Sequence, residues 1–363
     1  TTHIFKILAT LAVFPLLLAI SGSRLVAFIA TILFAFSYSA VGTMYTVVTS
    51  SDYSAIFSMG IFILVYWYVV KKNIGNWAIL LFLLLLLILT LFLSTERMYQ
   101  LPLFIALTEG FLVWQRQKLG KNTIKRLLIM FLPLILIFMA KPMVFLSYFL
   151  SHTEEIIKGI LGGNWNLLLT PLVALGSMII PHDYTKYLGL AKMDSFGSFI
   201  DFLITGPLLV LVAVTVIIGL LVFKRPHIVI LQILGLMIFF SVLLYILGSH
   251  FTTHQINIAA IVQALVGLYV IAISIVSFIY WLKKKDRLMI GLFVGPIFAF
   301  IYIFLTWVGA ATSEVFSGIH RYLTIPALFI DLFLATLFTA MFINLYNFLK
   351  KFKVRLQFLY AIK

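Results

Sequence analysis

The chain contains no cysteine. That excludes a disulfide framework, a thiol nucleophile and any metal site built on thiolates. Charge is scarce, with Asp, Glu, Lys and Arg making up only 10% of 363 residues. Acidic residues are scarcer still, 11 against 26 basic ones, so carboxylate clusters have few places to form. There is no HExxH, no GxSxG, no glycine-rich phosphate loop and no dinucleotide fingerprint. Zinc-peptidase, serine-hydrolase and ATP-driven chemistry therefore find no support. No secretory leader is visible, and the first residue is Thr1 rather than Met.

What is abundant is apolar surface. The chain is 63% hydrophobic with a mean hydropathy of +1.17, more than a soluble fold of this length can hide from water. The predicted fold class is all-α: a polytopic transmembrane helical bundle, one domain over residues 1–363. Apolar runs near 4–20, 25–48, 55–70, 77–93, 101–114, 127–150, 199–223, 228–247, 258–282, 288–308 and 323–349 predict about eleven spans. The run at 101–114 is the shortest of them. No low-complexity linker or convincing internal repeat separates these runs.

A net charge of +15 would suggest nucleic acid in a soluble protein. Here the distribution of charge follows membrane topology, so no nucleic-acid partner is expected. One set of turns holds Arg24, Lys71 and Lys72, the cluster from Arg116 to Arg126, Lys224 and Arg225, Lys283 to Arg287 and the tail from Lys350 to Lys363. Together these carry 19 of the 26 basic residues and one acid, Asp286. The alternate turns carry Asp52, Glu96, Arg97, His250, His254, Glu314, His320, Arg321 and a long loop over 151–198. The positive-inside rule places the first set in the cytoplasm and the acidic, histidine-bearing turns outside. The expected localisation is a bacterial or archaeal cytoplasmic membrane.

The loop at 151–198 is the longest interruption in the pattern and holds four of the eleven acids. A connection of that length in a compact domain is usually a lid or binding loop. Its middle, Leu167–Ile180, is apolar but about 14 residues long, short of the roughly 18 needed to span. It predicts one or two helices in the interface or dipping into it, between Pro171 and Pro181. Beside it stand His182 and Asp183, which could meet a substrate or a divalent metal. Isolated groups of this kind in a polar loop are also commonly just solvated, so no metal ligand is assigned.

Other polar candidates sit near or within the spans. His320, Arg321 and Tyr322 lie where the last span enters from outside. Arg321 there could fork two hydrogen bonds onto a phosphate or carboxylate at headgroup depth. The bland alternative is an interfacial anchor, with the Arg snorkelling and the Tyr in the aromatic belt. Glu109, Lys141 and Asp331 fall inside apolar runs, where ionisable groups require a partner or a cavity. Glu109, toward the cytoplasmic end, is within reach of the basic turn after Trp114. Lys141 and Asp331 stand at similar depth, and a structural ion pair and a shared substrate pocket both fit them.

Two stretches carry a resemblance. Ser21–Lys72 (SGSRLVAFIATILFAFSYSAVGTMYTVVTSSDYSAIFSMGIFILVYWYVVKK) gives paired spans around a short outer turn bearing Asp52, and His320–Pro326 (HRYLTIP) gives an Arg-Tyr entry into a late helix. The pattern resembles the GT-C superfamily of integral-membrane glycosyltransferases, relatives of protein mannosyltransferases and aminoarabinose transferases. The resemblance implies transfer of a sugar from a polyprenyl-phosphate donor to an acceptor on the outer face of the membrane. In that superfamily an acidic motif lies in the first outer loop, after the first span. That segment is not in this chain, which leads to the expectation that a helix and an outer loop precede Thr1. The catalytic base is left unassigned, with Asp52 as a candidate helper. Substrate contacts are expected from Arg321, His320, Tyr322, Lys141, Asp331, His182 and Asp183, and membrane lipid is the expected surrounding partner. An O-antigen polymerase or ligase-like enzyme and a lipid flippase or transporter are the alternatives.

Overall fold

The computed structural model describes residues 2–36, 50–93, 105, 109–110, 120–140, 154–162, 166–180, 207–223, 226–248, 258–284, 289–309 and 324–361. Among them the chain is all-helical and has no strand. In order the helices are α1 (Thr2–Ser21), α2 (Arg24–Phe36), α3 (Ser50–Lys71), α4 (Trp77–Leu93), α5 (Lys121–Ala140), α6 (Asn166–Ser177), α7 (Pro207–Val222), α8 (Pro226–Gly248), α9 (Ile258–Lys284), α10 (Ile290–Gly309) and α11 (Thr324–Ala361).

Two helices are long and apolar enough to cross a membrane, Val262–Lys283 within α9 and Pro326–Asn347 within α11. Shorter apolar helices include Arg24–Phe36, Trp77–Thr90 and Val212–Val222. α4 shows the character they share. It buries Leu80, Leu83 and Leu87 and exposes Leu81, Phe82, Leu85, Ile88 and Leu89. A helix apolar on both faces has no side suited to water.

Two boundaries differ from the sequence expectation. α5 begins at Lys121, six residues before the apolar run at 127, because the Gly120 carbonyl accepts from the amides of Thr123 and Ile124 and starts the helix early. Lys121, Lys125 and Arg126 therefore ride on the first turns of a helix rather than in a loop. α11 runs to Ala361, twelve residues past the end of its apolar run. Pro326 is its third residue, a position where the missing N–H has no intrahelical partner to lose.

The chain divides into two compact units. The first comprises 1–171 and 298–331. In it α1 packs on α2 and α3, α3 on α4, and α4 on α5. The α1–α2 connection is tight: Gly22 takes a φ of +67°, and its amide closes on the Leu18 carbonyl at 2.9 Å. Such a left-handed residue ends a helix with little steric cost only when it is glycine. α1 and α3 approach closely where Gly60 faces Ala12, as a Cβ on Gly60 would lie 2.9 Å from that of Ala12. Small residues at a crossing let two backbones come together in lipid.

The second unit comprises 172–297 and 332–363. In it α7 packs on α8 and α8 on α9. The α9–α10 corner is sealed by aromatic rings, with Trp281 and Phe278 each 5.3 Å from Phe293. The Ser274 hydroxyl reaches the Phe293 carbonyl at 3.1 Å.

Candidate functional site

Among the described residues of the first unit a polar cluster is centred on Arg126, which is fully buried. Its Nε donates to Glu109 Oε1 at 2.6 Å and its Nη2 to Oε2 at 3.3 Å, a bidentate pair. Nη2 also donates to Thr123 Oγ1 at 3.1 Å, and Nη1 reaches Asn73 Oδ1 at 3.5 Å. Glu109 is 1% exposed. Sequence pattern alone places Glu109 within reach of the basic turn after Trp114. The partner is one residue of that turn, Arg126, carried inward by the early start of α5.

Local backbone geometry explains how the α3–α4 turn joins the cluster. Asn73 adopts a φ of +50°, which Asn tolerates better than most side chains. That conformation turns its carbonyl to the Asn122 side-chain amide, which donates at 2.8 Å, while its own side chain faces Arg126. Lys125 lies over the Trp77 ring at 5.4 Å. Tyr66 is 3% exposed and stacks on Phe62 at 5.8 Å. Its hydroxyl approaches Glu109 without completing a hydrogen bond.

This arrangement spends its donors on itself. Both carboxylate oxygens of Glu109 and all three nitrogens of Arg126 are engaged within the protein. A saturated bidentate pair ties helix ends together and offers little to a ligand. Its role is to clamp the α3–α4 turn, the segment around Glu109 and the start of α5.

Asp331 is different. It lies seven residues into α11 and is 6% exposed. Its Oδ2 is buried with no hydrogen-bond partner among the described residues. Ala327, Leu328, Phe329 and Ile330 before it, and Leu332 and Phe333 after it, are all 3% exposed or less. This stretch of α11 is buried, so the carboxyl faces the protein interior. A buried acid in such surroundings marks a site in want of a partner.

The other expected site residues fall elsewhere. Lys141, His182, Asp183, His320, Arg321 and Tyr322 lie outside the described residues. Asp52 sits in the first turn of α3. Among the described residues no group of three or more His, Asp or Glu side chains could hold a metal.

The loop between α5 and α7 does contain helix. Residues 154–161 are helical and carry an exposed Lys158–Glu154 bridge of 2.6 Å. The hydrogen bond from Lys158 holds the Glu154 carboxyl below its ordinary pKa, and the same bond raises that of Lys158. α6 is 12 residues long, about 18 Å at ~1.5 Å per residue, too short to cross ~30 Å of hydrocarbon.

Yet α6 is buried, with Ala174 1% and Leu175 0% exposed. It lies against α9 at backbone distance. A Cβ on Gly176 would fall on the backbone of Gln263, and one on Gly267 would fall on the Leu172 carbonyl. The Gln263 amide then donates to the Ile180 carbonyl at 2.9 Å, just past the end of the helix. Sequence reasoning missed this clasp, although a glutamine within an apolar run and glycines at 176 and 267 were its signal.

Comparison of the chain with known protein families, curated proteins and solved structures finds no match.

Proposed function

We propose that the chain is a polytopic membrane enzyme of the glycosyltransferase type, moving a sugar from a polyprenyl-phosphate donor to an acceptor on the outer face of the membrane. The observation that carries this reading is α6: a short, buried, non-spanning helix clasped to the first third of α9 by Gly176, Gly267 and Gln263. With Lys283 and Lys284 of α9 on the cytoplasmic side, that third is the outer end. α6 then covers the outer end of α9, a level at which a lipid-borne phosphate would sit with its tail in the hydrocarbon.

The chemistry fits the residue types at that level. A departing polyprenyl phosphate needs cationic donors at headgroup depth, which Arg321 supplies at the entrance to α11. Basic groups stabilise the leaving phosphate, while an outer carboxylate takes the acceptor's proton. Asp331, ten residues further along the chain, contributes a buried carboxyl, with Lys141 as its candidate partner. The eleven-span topology and the outward orientation of the 151–198 loop belong to the same proposal.

The test uses the protein reconstituted in nanodiscs with a polyprenyl-phosphate-linked sugar. Release of free polyprenyl phosphate is expected, and Arg321→Ala should lower it by about 10²–10³-fold, the usual effect of removing a group that stabilises developing charge. Donor that stays intact while lipid moves between leaflets would replace this reading with a transporter.

A further inference from the structure

Three lysines gather at one end of the first unit with no acid to answer them. Lys72 opens the α3–α4 turn, and Lys121 and Lys125 ride on the first turns of α5. The Asn122 amide draws the two segments together by donating to the Asn73 carbonyl at 2.8 Å. Lys125 Nζ stands 5.4 Å from the centre of the Trp77 ring. No Asp or Glu occurs from 53 to 95 or from 110 to 153. Glu109 is engaged through both oxygens by Arg126. Among the described residues none of the three lysines has a carboxylate partner.

Both helices that start at this junction carry an exposed apolar stripe away from it. On α4 the stripe is Trp77, Leu81, Leu85 and Ile88, at intervals of four, four and three residues. Trp77 is 57% exposed and Leu85 65%. On α5 Ile124, Leu128, Leu132 and Ile135 repeat the same intervals, and Leu128 is 64% exposed. That spacing keeps each set on one face of its helix. α4 and α5 pack on each other, so the two stripes descend from one basic rim. From Trp77 to Ile88 the stripe runs about 17 Å at ~1.5 Å per residue, which covers one leaflet's half of the ~30 Å hydrocarbon.

We propose that this end of the first unit binds an anionic phospholipid, with its phosphate on Lys72, Lys121 and Lys125 and its acyl chains along α4 and α5. Lysine is a mobile point charge suited to phosphate, and a tryptophan at the head of an apolar stripe belongs at headgroup depth. Basic groups beside membrane helices recognise acidic headgroups in this way.

Two other occupants fit the surface less well. A free phosphate would use the lysines alone and has no part that matches the stripes beneath them. A second copy paired here about a two-fold axis would set the same three lysines against these, and like charges across an interface are unfavourable. The site shares the membrane with the outer-face chemistry proposed above and is otherwise independent of it.

The test reads Trp77 in the protein held in phosphatidylcholine nanodiscs at fixed ionic strength. Brominated phosphatidylglycerol or brominated phosphatidylcholine is added at rising mole fraction, and the quenching lost in Trp77→Phe is the share that belongs to this ring. Each lysine near an acidic surface favours it about fivefold, so the brominated phosphatidylglycerol should half-quench at a mole fraction about tenfold or more below the phosphatidylcholine. Lys121→Gln/Lys125→Gln should remove most of that preference, and Lys121→Arg/Lys125→Arg should keep it. Lys283→Gln/Lys284→Gln, the same loss of charge in the second unit, should leave it unchanged. Equal quenching by the two lipids overturns the proposal, and so does an equal loss in both glutamine pairs, which would mean a general surface potential. Displacement of the brominated phosphatidylglycerol by inorganic phosphate alone assigns the lysines to a free phosphate instead.

Discussion

Replacing Arg126 by Met would leave the Glu109 carboxylate in place with neither partner nor water. Glu109 is 1% exposed and Arg126 0%, and two of the bonds between them are direct, at 2.6 and 3.3 Å. Breaking a buried pair by removing one partner typically costs about 3–5 kcal/mol, whereas replacing both with apolar residues of similar size is often close to neutral. Arg126 also satisfies Thr123 Oγ1, and its loss there adds about 1 kcal/mol. The single variants Arg126→Met and Glu109→Leu should each shift the unfolding equilibrium by about 10²–10⁴-fold. The double variant should recover most of that loss. Reversible unfolding in mixed micelles, followed by helix content against the mole fraction of denaturing detergent, measures all four corners of the cycle. If the two single effects simply add in the double variant, the residues act independently and the clamp is wrong. Single effects under about 1 kcal/mol would mean that water reaches the pair.

The clasp between α6 and α9 should be intolerant of bulk: Gly176→Val places side-chain atoms on the Gln263 backbone, where overpacking costs about 1–3 kcal/mol or more. Limited proteolysis of the 151–198 loop should accelerate in that variant, and unchanged protection would refute the close approach. For Asp331, the Ala variant alone should lose about 2.5–3.5 kcal/mol by orphaning Lys141, and Asp331→Ala/Lys141→Met should lose less. A single variant as stable as the parent would show that the two do not meet. Cysteines at Lys121 and Lys284 should label only from the cytoplasm and one at Thr185 only from outside. Labelling of Thr185→Cys solely after permeabilisation would invert the whole topology.

Much of the architecture was legible in residue order because it follows from solvent. Long apolar runs must be helical where backbone groups find no water to bond, and helices do occupy the runs at 77–93, 258–282 and 323–349. Local rules also worked one step beyond the runs. Pro326 sits at the start of α11, where its missing N–H costs little. Leu167–Ile180, too short to span, holds all but the first residue of a twelve-residue helix. Glu109, an acid inside an apolar run, found its partner in the basic turn after Trp114.

Which residue meets which could not be read that way. Five basic residues stand from Arg116 to Arg126, and of the three described ones, Lys121, Lys125 and Arg126, only Arg126 is buried. That choice depends on α5 beginning at Lys121 and on the left-handed turn at Asn73, both products of packing around the α3–α4 turn. The clasp of Gln263 onto Ile180, 83 positions apart, likewise needs two helices at backbone contact. So does the α1–α3 crossing at Gly60 and Ala12. Hydropathy, spacing and charge sign are properties of one segment and its solvent, and the sequence by itself determined the helices. Partner choice is a property of two segments brought together. Only the tertiary structure decided that Glu109 is answered by Arg126 while Asp331 lies buried with no partner among the described residues.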